Sequence, residues 1–423
     1  MNLRSPRNAT RQLTINGERM RADFEELSLI GLSPSGGINR LALSPEDLRA
    51  RQWLADRIEE AGLIVRDDDA ANLSGVFLSP DPQARTLLIG SHLDSVPNGG
   101  RFDGTIGVLA GLECLRTLRE SGFQPALHLE VINFTDDEGC WKSMFGSRAL
   151  TGLIEPEDIS DVRVDNGPFR AALARAGIDP RAVFRARRDP NSIAGYLELH
   201  IEQGTRLERA GISIGVVTGV VGRMNYRICF HGQAAHSGTT DMYKRRDALR
   251  GAALFIVRAH DAVRARYGDG IFNCGDVEVK PGAFNIIPSE ACLNIECRHV
   301  SETLMNEMET AIIGIARECA ASYDLTVTIE PIARIPAASM APEMIETIES
   351  SASELNLSHM RLISYAGHAA QVMSRFTPSG MIFVPSVGGI GHQPEEFTEW
   401  DDVVNGANVL LQTIIKRATL TAS

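Results

Sequence analysis

Between Gly90 and Gly107 the chain reads GSHLDSVPNGGRFDGTIG, and no other stretch restricts its fold so tightly. The apolar run Thr86-Leu87-Leu88-Ile89 has strand length, and His92 and Asp94 stand at its end. A glycine-rich turn follows, then Asp103, then Val108, Leu112 and Leu115 at i, i+4 and i+7. The spacing predicts strand, imidazole, tight loop, carboxylate and helix in that order. Open α/β sheets gather ligands at the carboxyl ends of their strands, so a metal site is expected here.

The pattern around this string alternates. Ser44-Pro45-Glu46-Asp47 reads as a helix cap with proline at the first helical position, opening a helix with Leu54, Ile58 and Ala61 on one face. Strands are expected near 73–78, 86–91 and 127–134, a helix over 104–120, and a further strand at Tyr196-Leu197-Glu198-Leu199-His200. After Gly211 the pattern changes: 212–221 and 223–231 read as a hairpin, followed by a helix, two strands, a helix and a strand. That order predicts a compact α+β insertion over 212–330. Alternation of helix and strand resumes from 335 and ends in a helix near 402–417. The fold class is therefore α/β, one domain (1–211 and 331–423) being interrupted by a second.

Composition excludes several classes of partner. A net charge of −12 without any Lys/Arg-rich run makes nucleic acid and anionic membranes poor partners. The seven cysteines are scattered without a CxxC pair, which suits a reducing compartment and predicts no disulfide framework. The N-terminal MNLRSPRNATRQ lacks the apolar core of a signal peptide, and no run reaches the length of a membrane span. A cytoplasmic protein is expected.

Four strand-end segments carry potential ligands: His92 with Asp103, Asp136-Asp137-Glu138, His200, and His392. Imidazole with carboxylate suits Zn, Mn, Co or Ni. Two such ions about 3.5–4 Å apart can share one carboxylate and hold a hydroxide between them, given two further ligands each and a nearby base. The set supplies that number of groups.

The strings GSHLDSVPNGGRFDGTIGV, LELHIEQG, HGQAAHSGTT, NIIPSEACLNIECRH and MIFVPSVGGIGHQPEE, in that order, resemble the carbamoylase, allantoate amidohydrolase and β-ureidopropionase branch of the metal-dependent aminoacylase/carboxypeptidase superfamily. The resemblance spans about residues 15–415. It implies a catalytic domain with a mixed central sheet flanked by helices, and an inserted ferredoxin-like lid that also forms a homodimer. It implies two divalent ions per subunit: Asp103 bridging, His92 and His200 on one ion, Glu138 and His392 on the other, with the Asp94 carboxylate orienting the His92 imidazole. Asp137 takes the general-base position. His236 corresponds to a residue that polarises the scissile carbonyl in the partner subunit's site, and Gln203, Asn285 and Arg298 to groups that contact a small carboxylate-bearing substrate. The activity implied is hydrolysis of an N-carbamoyl-L-amino acid by a metal-bridging hydroxide. Alternatives are the same chemistry on allantoate, ureidoglycolate or an N-acyl amino acid, or metal and carboxylate binding without turnover. Three positions depart from the family's pattern: Asp137 where Glu is usual, Ala369 where Asp is usual, and the bulky Trp141 after Glu138.

Overall fold

The computed structural model describes residues 13–160 and 167–419, so the reading of MNLRSPRNATRQ lies outside the described residues. Two compact units emerge. One comprises the described residues up to Thr218, Met340–Leu362 and those from His368 onward; the other is Gly219–Ser339 with Ile363–Gly367.

The first unit is built on a mixed sheet. Its strands are β1 (Ile64–Asp67), β2 (Leu73–Phe77), β3 (Thr86–His92), β4 (His128–Phe134), β5 (Ile193–Ile201) and β6 (Ile214–Val220), and near its end β12 (His359–Ser364) and β13 (Ser379–Val384). The order is β1-β2-β4-β3-β5-β13-β6, with β12 also paired to β6. The four central strands, β4-β3-β5-β13, are mutually parallel, while β1, β2 and β6 run antiparallel to their neighbours. Central strands sandwiched between helices are buried on both faces, and β3, β4, β5 and β13 read accordingly as nearly continuous buried runs. The helix Thr105–Glu120 packs on β3, β4 and β5, and every residue from Thr105 to Leu118 is buried. The capped helix Pro45–Glu60 forms as expected, with Ser44 Oγ accepting the Asp47 N–H at 3.2 Å.

Parallel pairing aligns the strand ends that matter. His92 on β3 is level with Phe134 on β4, and His200 on β5 with Phe383 on β13. Every candidate ligand loop therefore leaves the sheet from the same edge.

In the second unit β7 (Gly222–His231), β8 (Ile271–Lys280), β9 (Glu290–His299) and β10 (Thr326–Ile335) form an antiparallel sheet in the order β10-β7-β9-β8. The helices Ala248–Arg266 and Glu302–Ala321 complete a βαββαβ, ferredoxin-like unit. Phe230, Phe255, Leu293, Met308 and Ile312 belong to its core. The short β11 (Ala338–Ser339) pairs with Gly219 and Val220.

Three expectations are corrected. The stretches 212–221 and 223–231 are not a hairpin: β6, buried on both faces, joins β13 in the large sheet, whereas β7 pairs with β9 and β10. For the same reason the unit boundaries fall at Gly219 and Ser339 rather than at 212 and 330, because the first half of β6 belongs to the large sheet and β10 extends to Ile335. Cys229 and Cys292 form a disulfide, since the β7–β9 register sets them directly opposite one another. Their 63-residue separation hides that pairing from the sequence.

Candidate metal centre

His92 closes β3, and its ring lies against the residue that opens the next helix. Gly104, the helix cap, has φ +64°, and a Cβ there would meet the His92 ring at 2.4 Å, so only glycine lets chain and imidazole approach this closely. Asp103 is thereby presented between the strand ends. Its Oδ1 lies 3.0 Å from His200 Nε2 and 3.6 Å from His92 Nε2; its Oδ2 lies 3.2 Å from His392 Nε2. Glu138 Oε2 is 3.6 Å from the same His392 nitrogen. Two groups of potential ligand atoms result, His92–Asp103–His200 and Asp103–Glu138–His392, each within 4.8 Å and sharing Asp103.

Both buried imidazoles turn Nε2 toward Asp103, and the contacts of their Nδ1 atoms fix the ring orientation. His92 Nδ1 faces the Asp94 carbonyl oxygen at 3.0 Å and His200 Nδ1 the Ile201 carbonyl at 3.0 Å, which places the ring proton on Nδ1. The Gly104 N–H points at His200 Nε2, 3.2 Å away, as an acceptor nitrogen requires. Asp137 is buried, and its Oδ1 has no hydrogen-bond partner among the described residues. Imidazole and carboxylate atoms gathered this closely, with a buried carboxylate oxygen left unpaired among the described residues on the turn that carries Glu138, fit the binding of divalent metal.

Crowding of like charges in a dry site shifts the acids upward. Burial, only partly relieved by His92, raises Asp137 to about 7; burial together with the Asp103 charge raises Glu138 to about 8. Burial also works against the Asp103 carboxylate, but the His200, His392 and His92 imidazoles outweigh it and hold its pKa well below the usual carboxylate range. The hydrogen bond to Asp103 lifts His392 to about 9.

The turn bearing Asp137 and Glu138 is organised by its neighbours. Asp136, at φ +55°, accepts the Trp141 N–H at 3.1 Å and the Lys142 N–H at 2.6 Å through one carboxylate oxygen. Trp141 anchors the far side, donating to the Ala42 carbonyl at 2.9 Å and stacking on Phe169 at 5.9 Å. The indole that departs from the family's pattern thus serves the loop's packing. Ala369 is fully buried, and the following Ala370 N–H donates to the buried Glu198 at 2.8 Å.

Two sequence expectations shift in detail. The Asp94 carboxylate is 3.7 Å from His92 Nδ1, and the backbone carbonyl takes the imidazole proton instead. The carboxylate accepts the backbone N–H groups of Asp137 (3.4 Å) and Glu138 (3.2 Å), so it holds the acidic turn. Gln203, expected to touch substrate, donates its amide to Asp103 Oδ2 at 2.7 Å.

His236, Asn285 and Arg298 lie in the second unit. His236 bridges Ile286, and the Ser237 N–H donates to the Asn285 carbonyl, which brings His236 and Asn285 onto adjoining exposed segments. His236 Nδ1 accepts the Gly238 and Thr239 N–H groups at 3.1 and 3.3 Å, leaving the proton on an outward Nε2. Arg298, on β9, pairs with Glu296 at 2.7 Å and donates to the Tyr365 carbonyl at 2.5 Å.

Glu396 was not singled out in the sequence. It is buried and touches both ligand loops through their backbones, and its only signal is its place in the string HQPEE. The buried trio Glu198–His200–His368 was likewise hidden, because its members are separated in sequence.

The description of peptidase family M20/M25/M40 matches residues 88–416, which include every ligand candidate. The chain belongs to this family. An N-carbamoyl-L-amino acid amidohydrolase of Geobacillus stearothermophilus is 36% identical over 402 residues, covering 95% of this chain and 98% of its own. A ureidoglycolate hydrolase of Arabidopsis thaliana is 33% identical, covering 97% of this chain and 88% of its own. The crystal structure of a hydantoinase/carbamoylase family amidase from Burkholderia multivorans superposes with a TM-score of 0.87 at 31% identity, covering 97% of this chain and 100% of that one. This M20 chain is an amidohydrolase with the mixed-sheet fold of the carbamoylases. No helix among its described residues is long and apolar enough to cross a membrane.

Proposed function

We propose that the chain hydrolyses the ureido C–N bond of an N-carbamoyl-L-amino acid, using two divalent ions held by His92, His200, Asp103, Glu138 and His392. The observation that carries the reading is Asp103, whose two oxygens face two separate ligand groups, together with Asp137, the residue before Glu138, whose buried Oδ1 has no hydrogen-bond partner among the described residues. Divalent ions there polarise a carbonyl and lower the pKa of water towards about 7. Asp137, raised to about 7 by burial, takes the proton of the attacking water and returns it to the leaving nitrogen. The Nε2–H of His236, given to the other subunit's site, donates to the carbonyl oxygen there as negative charge develops on it. The Arg298 guanidinium, fixed by Glu296 and Tyr365, and the Asn285 amide hold the substrate carboxylate. Water adds, the C–N bond breaks, and the carbamate formed decays to carbon dioxide and ammonia.

The likeness to the Arabidopsis enzyme keeps ureidoglycolate as a second reading of the same chemistry. The test is ammonia release by protein stripped of metal and reloaded with Zn, Mn, Co or Ni, over N-carbamoyl-L- and D-amino acids, allantoate and ureidoglycolate, with N-acyl amino acids followed as free amino acid. Metal-dependent turnover of N-carbamoyl-L-amino acids is expected. Preference for another member of the panel would reassign the substrate, and turnover undiminished by chelation would remove the metals from the reaction.

A further inference from the structure

One buried carboxylate at the centre has no place among the ligands or the proton carriers. Glu396 Oε1 accepts the backbone N–H groups of Phe102 at 2.9 Å and Asp103 at 3.0 Å, and Oε2 accepts the backbone N–H of His392 at 3.2 Å. It belongs to neither ligand group that shares Asp103. Gly100 confirms how closely the loop wraps it, because a Cβ there would meet the Glu396 carboxyl group at 2.0 Å.

We infer that Glu396 is a positioning residue: it sets the separation of Asp103 and His392, and with it the affinity of the Asp103–Glu138–His392 site. The inference rests on the metal-centre reading above. The three histidines are not held alike. His92 and His200 end β3 and β5 and are buried, with their Nδ1 atoms fixed on carbonyls, so sheet and packing place them. The His392 side chain is 52% exposed, and its backbone sits at φ +58°, a conformation a β-carbon disfavours. Packing gives it little support, and the tether through Glu396 ties its backbone to that of the shared ligand. Ligand-orienting groups of this kind typically change metal affinity about 10–100-fold when removed.

The asymmetry supplies the test. Metal-stripped protein is titrated with Zn²⁺ by calorimetry, with bound zinc counted by elemental analysis. Wild type is expected to bind two ions. Glu396→Ala is expected to bind one with unchanged affinity and the other about 10–100-fold more weakly. The weakened step should be the one abolished in His392→Ala, while His200→Ala abolishes the other. Glu396→Gln should fall between, since its amide oxygen still accepts from Phe102 and Asp103 but its NH₂ faces the His392 N–H. Gly100→Ala, which displaces the carboxylate without altering its charge, should weaken the same step, and Glu396→Ala with Gly100→Ala together should be no worse than Glu396→Ala alone. Thermal unfolding of the apo proteins identifies which variants fold; Gly100→Ala and Glu396→Gln carry the test if Glu396→Ala does not. Two unchanged binding steps, or two steps weakened equally, would overturn the inference. Failure of wild type to bind two ions would instead overturn the metal-centre reading.

Discussion

Asp137, Glu138 and His392 share one property with a measurable consequence: their pKa values are raised, to about 7, 8 and 9, from ordinary values of 3.8, 4.5 and 6.5. Without metal, the folded chain holds protons that the unfolded chain releases, so stability falls as pH rises. The two acids begin to destabilise above their ordinary values and do so increasingly until they ionise near 7 and 8. The stability contributed by protonated His392 is complete below 6.5 and lost through about 9. Asp103, lowered by its imidazoles, acts in the opposite sense but only in the acid range below these windows. In chelator, Tm is expected to decrease between about pH 5 and pH 9; with excess divalent ion it should rise over the same window, as metal displaces the protons. A level profile in chelator would contradict the raised values. Asp137→Asn keeps the side chain's size but cannot carry a proton, so kcat should fall by about 10²–10⁴ with both ions still bound. Activity close to wild type would transfer the proton to another group. The closeness of His92 to Asp103 was legible because strand end, turn and helix start are neighbours in the chain. Glu396 was not, because its role lies in backbone groups far away in sequence, and the Asp94 carboxylate was misassigned because a neighbouring carbonyl competes for the same imidazole proton.

Among the elements, β4 carries a charge into the interior. Glu130 is 1% exposed and accepts a two-pronged pair from Arg188 at 2.6 and 2.8 Å. Removing the guanidinium strands a buried carboxylate, so Arg188→Met should lower the unfolding free energy by about 3–5 kcal/mol in urea denaturation. Adding Glu130→Leu should restore most of it. A loss under about 1 kcal/mol for the single variant would mean that Glu130 finds solvent. Strands and helices with strong local periodicity appeared where expected, as at Thr105–Glu120 and Trp400–Thr419. The β6–β7 assignment failed because pairing is a tertiary choice: adjacent apolar runs can close on each other or leave for different sheets, and the burial of β6 on both faces decides it. The Cys229–Cys292 bond escaped for the same reason.

For the whole molecule, the second unit presents large exposed apolar side chains, among them Tyr243, Val257, Phe284 and Ile332, and Phe284 directly precedes Asn285. The homodimer expected from the sequence, with His236 given to the other subunit's site, would cover side chains of this kind. Mixing settles it. His236→Ala and Asp137→Asn should each be inactive alone, yet subunits exchanged between them should recover up to about a quarter of wild-type activity, because one site in each mixed dimer is complete. No recovery from verified mixed dimers would place His236 in its own subunit's site, and sedimentation as an active monomer would exclude the exchange altogether.

The order of the sheet also bears on how the protein is made. β3, β4 and β5 deliver His92, Asp103, Glu138 and His200 early, but β13 and His392 leave the ribosome only after the inserted unit, about 190 residues later. At roughly 5–20 residues per second, a nascent chain spends about 10–40 s with one edge of β5 unpaired and four of the five proposed ligands made without the fifth. During that interval β5 offers unpaired backbone N–H and C=O groups along one side, a template on which another nascent chain can pair until β13 arrives.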